Sequence, residues 1–166
     1  MIYLDPPHMV LNAQNVPGPD YKMWNTWRVP STEPPAKICG WPAIVAAGAP
    51  GGKLKNLVFN CHGLPGKLFV GSTWAFDWTD IPRFAVLAGL VENIYLVACE
   101  IVSFTGGHDG NMFCCGIAKT AACNVFASDS DQSTGLWPTI PYGYIDGYEG
   151  KVWKWKPDGS NVLTDL

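Results

Sequence analysis

The sequence predicts an α/β domain, a three-layer α/β/α sandwich around a mostly parallel central sheet. Short apolar runs ending at Asn60 (LVFN), Ala98 (IYLVA) and Ser128 (NVFAS) are too brief for soluble helices and are bounded by loop residues, as fully buried strands are. Helix-like segments separate these runs, so strand and helix alternate over residues 54–128, and right-handed crossovers would cover both faces of the sheet. Hydrophobic residues make up 48% of the chain and charged residues 15%, a balance that suits a covered sheet and argues against a disordered protein.

The elements follow in order. Prolines at 6 and 7, then VPGPD and MWNTWRVPSTEPP, break any long element in the first third. That leaves a short strand over residues 2–4, a loop, and a second strand around residues 24–29. PPAKICGWPAIVAAGAPGG opens on prolines and carries an alanine-rich body, so it reads as a helix interrupted or kinked at Trp41-Pro42 and stopped by Pro50, Gly51 and Gly52. A strand over residues 54–60, a turn at Leu64-Pro65-Gly66 and a short strand over residues 67–71 come next. Asp80 reads as the cap of a helix over residues 81–91 with Pro82 in its first turn. Residues 93–98 form the next strand, the SFTGGHDGN loop follows, residues 112–123 have helical spacing, and residues 124–128 form one more buried strand. The tail, YGYIDGYEGKVWKWKPDG, alternates aromatic and polar residues and reads as a hairpin around Glu149-Gly150.

At 166 residues the chain makes one domain, residues 1–166, and is short for two. Eleven basic against 14 acidic side chains give a net charge of −3, so neither a nucleic-acid footprint nor a polybasic membrane patch is expected. No apolar run approaches the roughly 20 residues that span a bilayer, and MIYLDPPH lacks the charged and apolar regions of a cleavable signal. The expectation is a soluble chain, cytoplasmic or secreted without a conventional signal peptide. The six cysteines sit in strand- and helix-like segments, which favours reduced thiols over a disulfide framework. Cys61-His62 and Cys114-Cys115 are adjacent pairs without zinc-ligand spacing, and no phosphate-binding glycine motif occurs, so neither metal nor cofactor is expected.

Chemistry concentrates at two strand ends. Parallel sheets collect functional groups beyond the carboxyl ends of their strands, and that is where LVFNCHG delivers His62 and IYLVACE delivers Cys99. If the two strands are neighbours, their backbones lie about 5 Å apart and both side chains reach one substrate carbonyl. A cysteine attacks as a thiolate and needs a proton partner, the role of His62; the backbone N–H groups of Gly63 and Cys99 are placed as oxyanion donors. Gly63 also has no Cβ to obstruct a substrate. Taken singly, Cys99 reads as a small core residue and His62 as a hydrogen-bonded strand-end residue. His108, in the glycine-rich loop after Cys99, suits a capping or solvent role, and His8 has no supporting pattern.

The blocks NLVFNCHGLPGKLFVG and IYLVACEIVSFTGG resemble the His-Gly and Ala-Cys blocks of the clan CD cysteine peptidases, the caspase, legumain, gingipain and clostripain group, and of the related CHAT-type domains. The resemblance covers roughly residues 54–131. It implies a caspase-hemoglobinase-like fold, a His62–Cys99 dyad and oxyanion donors at Gly63 and Cys99. VACE is similar to the legumain form, which implies that Glu100 lines a specificity pocket. The wall formed by the following strand in such enzymes maps here to Ser128, Asp129 and Asp131, which favours a basic or amide-bearing P1 side chain over an acidic one. The glutamine before Ala-Cys and the glycine after it that mark caspases are absent, and the chain is short for an active peptidase of this group. The expected function is a cysteine endopeptidase acting on a protein or peptide through a thioester, as a bacterial effector or self-processing domain. The alternative is a catalytically inactive caspase-like interaction module, its Trp- and Tyr-rich ends forming the binding surface.

Overall fold

The structure, a computed structural model, describes residues 1–71, 75–102, 109–133 and 137–166; most of the SFTGGHDGN loop, with His108, lies outside the described residues. Eleven strands are described: β1 (Ile2–Tyr3), β2 (His8–Ala13), β3 (Asn25–Val29), β4 (Leu54–Asn60), β5 (His62–Leu64), β6 (Lys67–Phe69), β7 (Val91–Val97), β8 (Asn124–Ser128), β9 (Tyr144–Ile145), β10 (Val152–Trp155) and β11 (Asn161–Thr164). Two α-helices, α1 (Pro35–Ala47) and α2 (Gly110–Ala121), and a 3-10 segment, Trp78–Leu87, pack on them. No helix among the described residues is long and apolar enough to cross a membrane.

Seven strands form the central sheet in the order β3-β2-β4-β7-β8-β10-β11, parallel through β8 and antiparallel for the last two. The expected mixed α/β architecture with a mostly parallel sheet is present. β4 and β8 have the expected bounds, and β4 lies directly beside β7, with Asn60 opposite Val97.

The layering departs from the sandwich expected from the sequence. From β3 onward every crossover advances the same way across the sheet, so right-handed connections place α1, the 3-10 segment and α2 on one face. Their side chains join one core with Met9, Leu11, Leu57, Phe59, Ile94 and Leu96. Only β2-to-β3 runs the other way. Its connection passes through Val16-Pro17-Gly18-Pro19, which cannot hold a helix, so loops and the β1–β9 ribbon cover the second face with Tyr21, Met23, Ile140 and Ile145.

β2 is the strand the sequence reading leaves as loop, yet all six of its residues are buried, between β3 and β4 in the sheet. The expected helix over residues 81–91 is the 3-10 segment: Asp77 caps it, accepting from Thr79 N–H at 2.9 Å, and Pro82 inside it lacks the N–H that an α-helix would use. α1 runs through Trp41-Pro42 as one helix. The terminal hairpin turns at Gly159, where φ is 87°, and not at Glu149-Gly150.

Candidate active site

β4 ends at Asn60, and Cys61 breaks the ladder while still donating its N–H to the Val97 carbonyl at 3.3 Å. His62 then opens a small hairpin, β5 against β6, that leaves the sheet at this edge. β7 ends at Val97, one residue pair away, and passes through Ala98 to Cys99. Glu100 follows with φ 45°, a left-handed turn that takes the chain away from the strand direction, and its N–H donates to Ser130 O at 3.1 Å. The two chemically reactive side chains therefore leave adjacent parallel strands at one carboxyl edge, both half-buried.

Gly63 sits between them for a reason other than the one the sequence suggests. A Cβ there would lie 2.5 Å from Ile101 Cδ1, 2.6 Å from the Cys99 carbonyl oxygen and 2.9 Å from Ala98 Cβ. The missing side chain makes room for the Ala98-Cys99 backbone, so the His-Gly hairpin packs directly on the segment bearing the thiol.

A cavity of about 190 Å³ opens beyond these strand ends. Val16, Pro17 and Tyr21 bound it after β2; Cys61 and His62 after β4; Val97, Ala98 and Cys99 at the end of β7. Gln132 and Ser133, after β8, and Asp146-Gly147 complete the wall. Strand order reverses between β2 and β4, and the crevice outside such a reversal is where open α/β sheets place their ligands.

The loop after β2 orients the histidine. Asn15 O lies 3.0 Å from His62 Nε2, and since a carbonyl only accepts, Nε2 carries the proton and Nδ1 is left to exchange one. The loop is pinned from beneath: Asn12, fully buried, accepts from Tyr21 N–H at 3.1 Å and donates to Tyr21 O at 3.0 Å, while Asn60 donates to Asn12 Oδ1 at 2.9 Å. Cys99 Sγ accepts from Gln132 N–H at 3.5 Å and faces Gln132 O at 3.7 Å. Gln132 is itself anchored, its side chain donating to Ser130 O at 2.8 Å and accepting from Glu149 N–H at 3.1 Å.

The remaining thiols differ from Cys99. Cys39, Cys61, Cys114 and Cys123 are buried, and desolvation pushes the first and last up to about 12 and the other two higher still. Only Cys115 matches Cys99 in exposure, and its Sγ faces Gly159 O at 3.5 Å, away from the cavity. Among the described residues no three His, Cys, Asp or Glu side chains converge to hold a metal ion.

The four residues expected to bind substrate stand apart from this cavity. Glu100 and Asp131 are exposed outside its wall. Ser128 is fully buried, its hydroxyl donating to Glu149 O. Asp129 accepts from Lys151 N–H at 2.9 Å and Ser130 Oγ at 3.1 Å, which ties the β8 end to β10. Gln132, Ser133, Asp146 and Tyr21 line the cavity instead. Distant loops bring these in, and only the β2 loop had a local signal: an apolar run, HMVLNA, followed by turn residues, the same pattern that marks β4 and β7. No family model, curated protein or solved structure matches the chain.

Proposed function

We propose that the protein is a cysteine endopeptidase with a His62–Cys99 dyad at the carboxyl edge of its parallel sheet. The observation that carries this is the pairing of β4 with β7, which sets His62 and Cys99 at one edge of one cavity. In the proposed reaction Cys99 gives its proton to His62 Nδ1 and its sulfur attacks the scissile carbonyl. Backbone N–H groups of Gly63 and Cys99 receive the oxyanion. Collapse of the tetrahedral adduct breaks the C–N bond as His62 protonates the leaving amine; a water molecule, deprotonated by His62, then attacks the thioester and frees the acid and the thiol. The cellular setting in this reading is that of an effector or a self-processing domain.

The test compares the parent chain with Cys99→Ala and His62→Ala for cleavage of an unstructured protein and of itself. Cleavage by the parent alone is the expected result; equal cleavage by all three overturns the dyad. Limiting iodoacetamide near neutral pH adds a direct readout. Cys99 should label much faster than Cys115, the other half-buried thiol, and equal rates count against an activated thiol.

A specific observation favours the alternative, a catalytically inactive interaction module. Tyr3, Trp24 and Tyr142 are 54%, 42% and 60% exposed. They gather around His8 and Gly143, at the opposite end of the parallel strands: Trp24 N–H donates to His8 Nδ1, Tyr142 stacks edge-on against His8, and Tyr3 borders Gly143. Exposed aromatic residues grouped in this way suit a protein contact. The variants named above separate the two readings.

A further inference from the structure

We infer that Asp146 makes the cavity beside Cys99 a pocket for a lysine or arginine side chain, so that the chain cleaves after basic residues; this rests on the proposed peptidase activity. Asp146 is the one carboxylate among the described residues lining that cavity. At about 190 Å³ the space is smaller than the roughly 300 Å³ at which drug-sized pockets begin, and it suits a single side chain.

The lining is divided in the manner a long cationic side chain requires. Val16, Pro17 and Val97 offer apolar surface for a methylene stem, and Asp146 offers the charge for its head. One carboxylate oxygen, Oδ1, accepts from Gly147 N–H at 2.9 Å, which fixes the group while leaving its other oxygen for a ligand. Among the described residues no lysine or arginine forms an ion pair with Asp146, whereas five such pairs form elsewhere. Tyr21 shares the wall as a neutral group, its phenol pushed up to about 12 by burial. The other acids near this edge are committed or turned away: the Asp129 carboxylate accepts from the Lys151 N–H, that of Glu149 accepts from the Ser133 N–H, and Glu100 and Asp131 lie outside the cavity.

The experiment uses peptidyl chloromethyl ketones that differ only at P1, carrying Lys, Arg, Gln, Leu or Asp. Each alkylates the thiol, the sulfur displacing chloride, and the rate of Cys99 modification is read by intact mass and peptide mapping. In the parent, Lys and Arg reagents should react on the order of 30-fold or more faster than Gln and Leu, with Asp slowest. Asp146→Asn should reduce the Lys and Arg advantage to within a few-fold, in a chain that melts cooperatively like the parent. Glu100→Gln and Asp129→Asn should keep the parent's order. Equal rates for all reagents in the parent overturn the inference and spare the peptidase reading. So does an Asp146→Asn variant that keeps its basic preference, or a preference that moves with Glu100 or Asp129. Failure of every reagent to modify Cys99 removes the peptidase reading and this inference with it.

Discussion

The two ends of the parallel strands are built on opposite principles. At the amino end, side chains of β4, β7 and β8 in matching register close a ladder of amides: Asn124 donates to Asn93 at 3.0 Å, Asn93 to Asn56 at 3.2 Å, and Asn56 to Asp5 O at 2.7 Å. Each amide finds its partner within the protein, and a satisfied polar network fixes register. At the carboxyl end the same strands leave the ladder: β4 breaks at Cys61, β7 turns at Glu100, and beyond them lies a cavity with His62, Cys99 and Asp146 on its wall. One end locks the sheet, while the other places reactive groups on a surface that the locked sheet keeps in position.

This contrast can be broken at either end, with separable effects. The largest change is expected at the open end: Cys99→Ala should reduce peptide cleavage to background, and His62→Ala should lower kcat by about 10²–10⁴-fold, both in chains that melt cooperatively like the parent. Gly63→Ala should act on both properties, costing about 1–3 kcal/mol through overpacking against Ala98 and Cys99 and lowering activity with it. Urea unfolding alongside cleavage rates checks this; a stable, fully active variant would show that the hairpin is free to move off the Cys99 segment.

At the locked end Asn93→Ala should cost about 1–3 kcal/mol by leaving the Asn124 and Asn56 amides short of a partner, while activity per folded molecule stays at the parent level. A smaller effect concerns His8, whose pKa is lowered from 6.5, first by burial, against weaker raising contributions from its own backbone and Asp5. Its Nδ1 accepts the Trp24 N–H, a bond the protonated ring cannot make. Because the unfolded chain binds this proton more readily, stability is complete above 6.5 and falls as pH drops through that value towards the lower folded pKa. Thermal melts from about pH 7.5 to pH 5 should show a shallower decline in His8→Asn, which keeps an acceptor but cannot charge. The smallest effect has the opposite sign. Gly40 lies inside α1 with nothing within 4 Å of an added Cβ, so Gly40→Ala should stabilise by about 0.5–1 kcal/mol, readable as a raised Tm.

How much of this was legible in the sequence depends on distance along the chain. The runs ending at Asn60, Ala98 and Ser128 have their environment written into a few consecutive residues, since a strand buried on both faces must be apolar throughout, and β4 and β8 lie where those runs lie. β2 carries the same signature, but His8 and Asn12 interrupt it; both are buried with hydrogen-bond partners that lie outside the segment, at Trp24, Tyr21 and Asn60. The α/β order implied helices on both faces, whereas the direction in which each crossover advances decides the layering, and strand order in space is not a local property. The adjacency of the His62 and Cys99 strands entered the sequence reading as a condition, which the pairing of β4 with β7 meets. The cavity wall did not, because Gln132 and Asp146 arrive on separate loops, and the Gln132 side chain is held by the Glu149 N–H, remote in the chain.

The close fit of Gly63 against Ala98 and Cys99 has an evolutionary side. Two strand ends held this tightly tolerate little drift, so change is channelled into the surrounding loops, which can lengthen or exchange residues without disturbing the sheet. A lineage descended from such a scaffold would be expected to keep the glycine and vary at positions such as 132, 133 and 146, acquiring new partners while its central geometry is inherited unchanged.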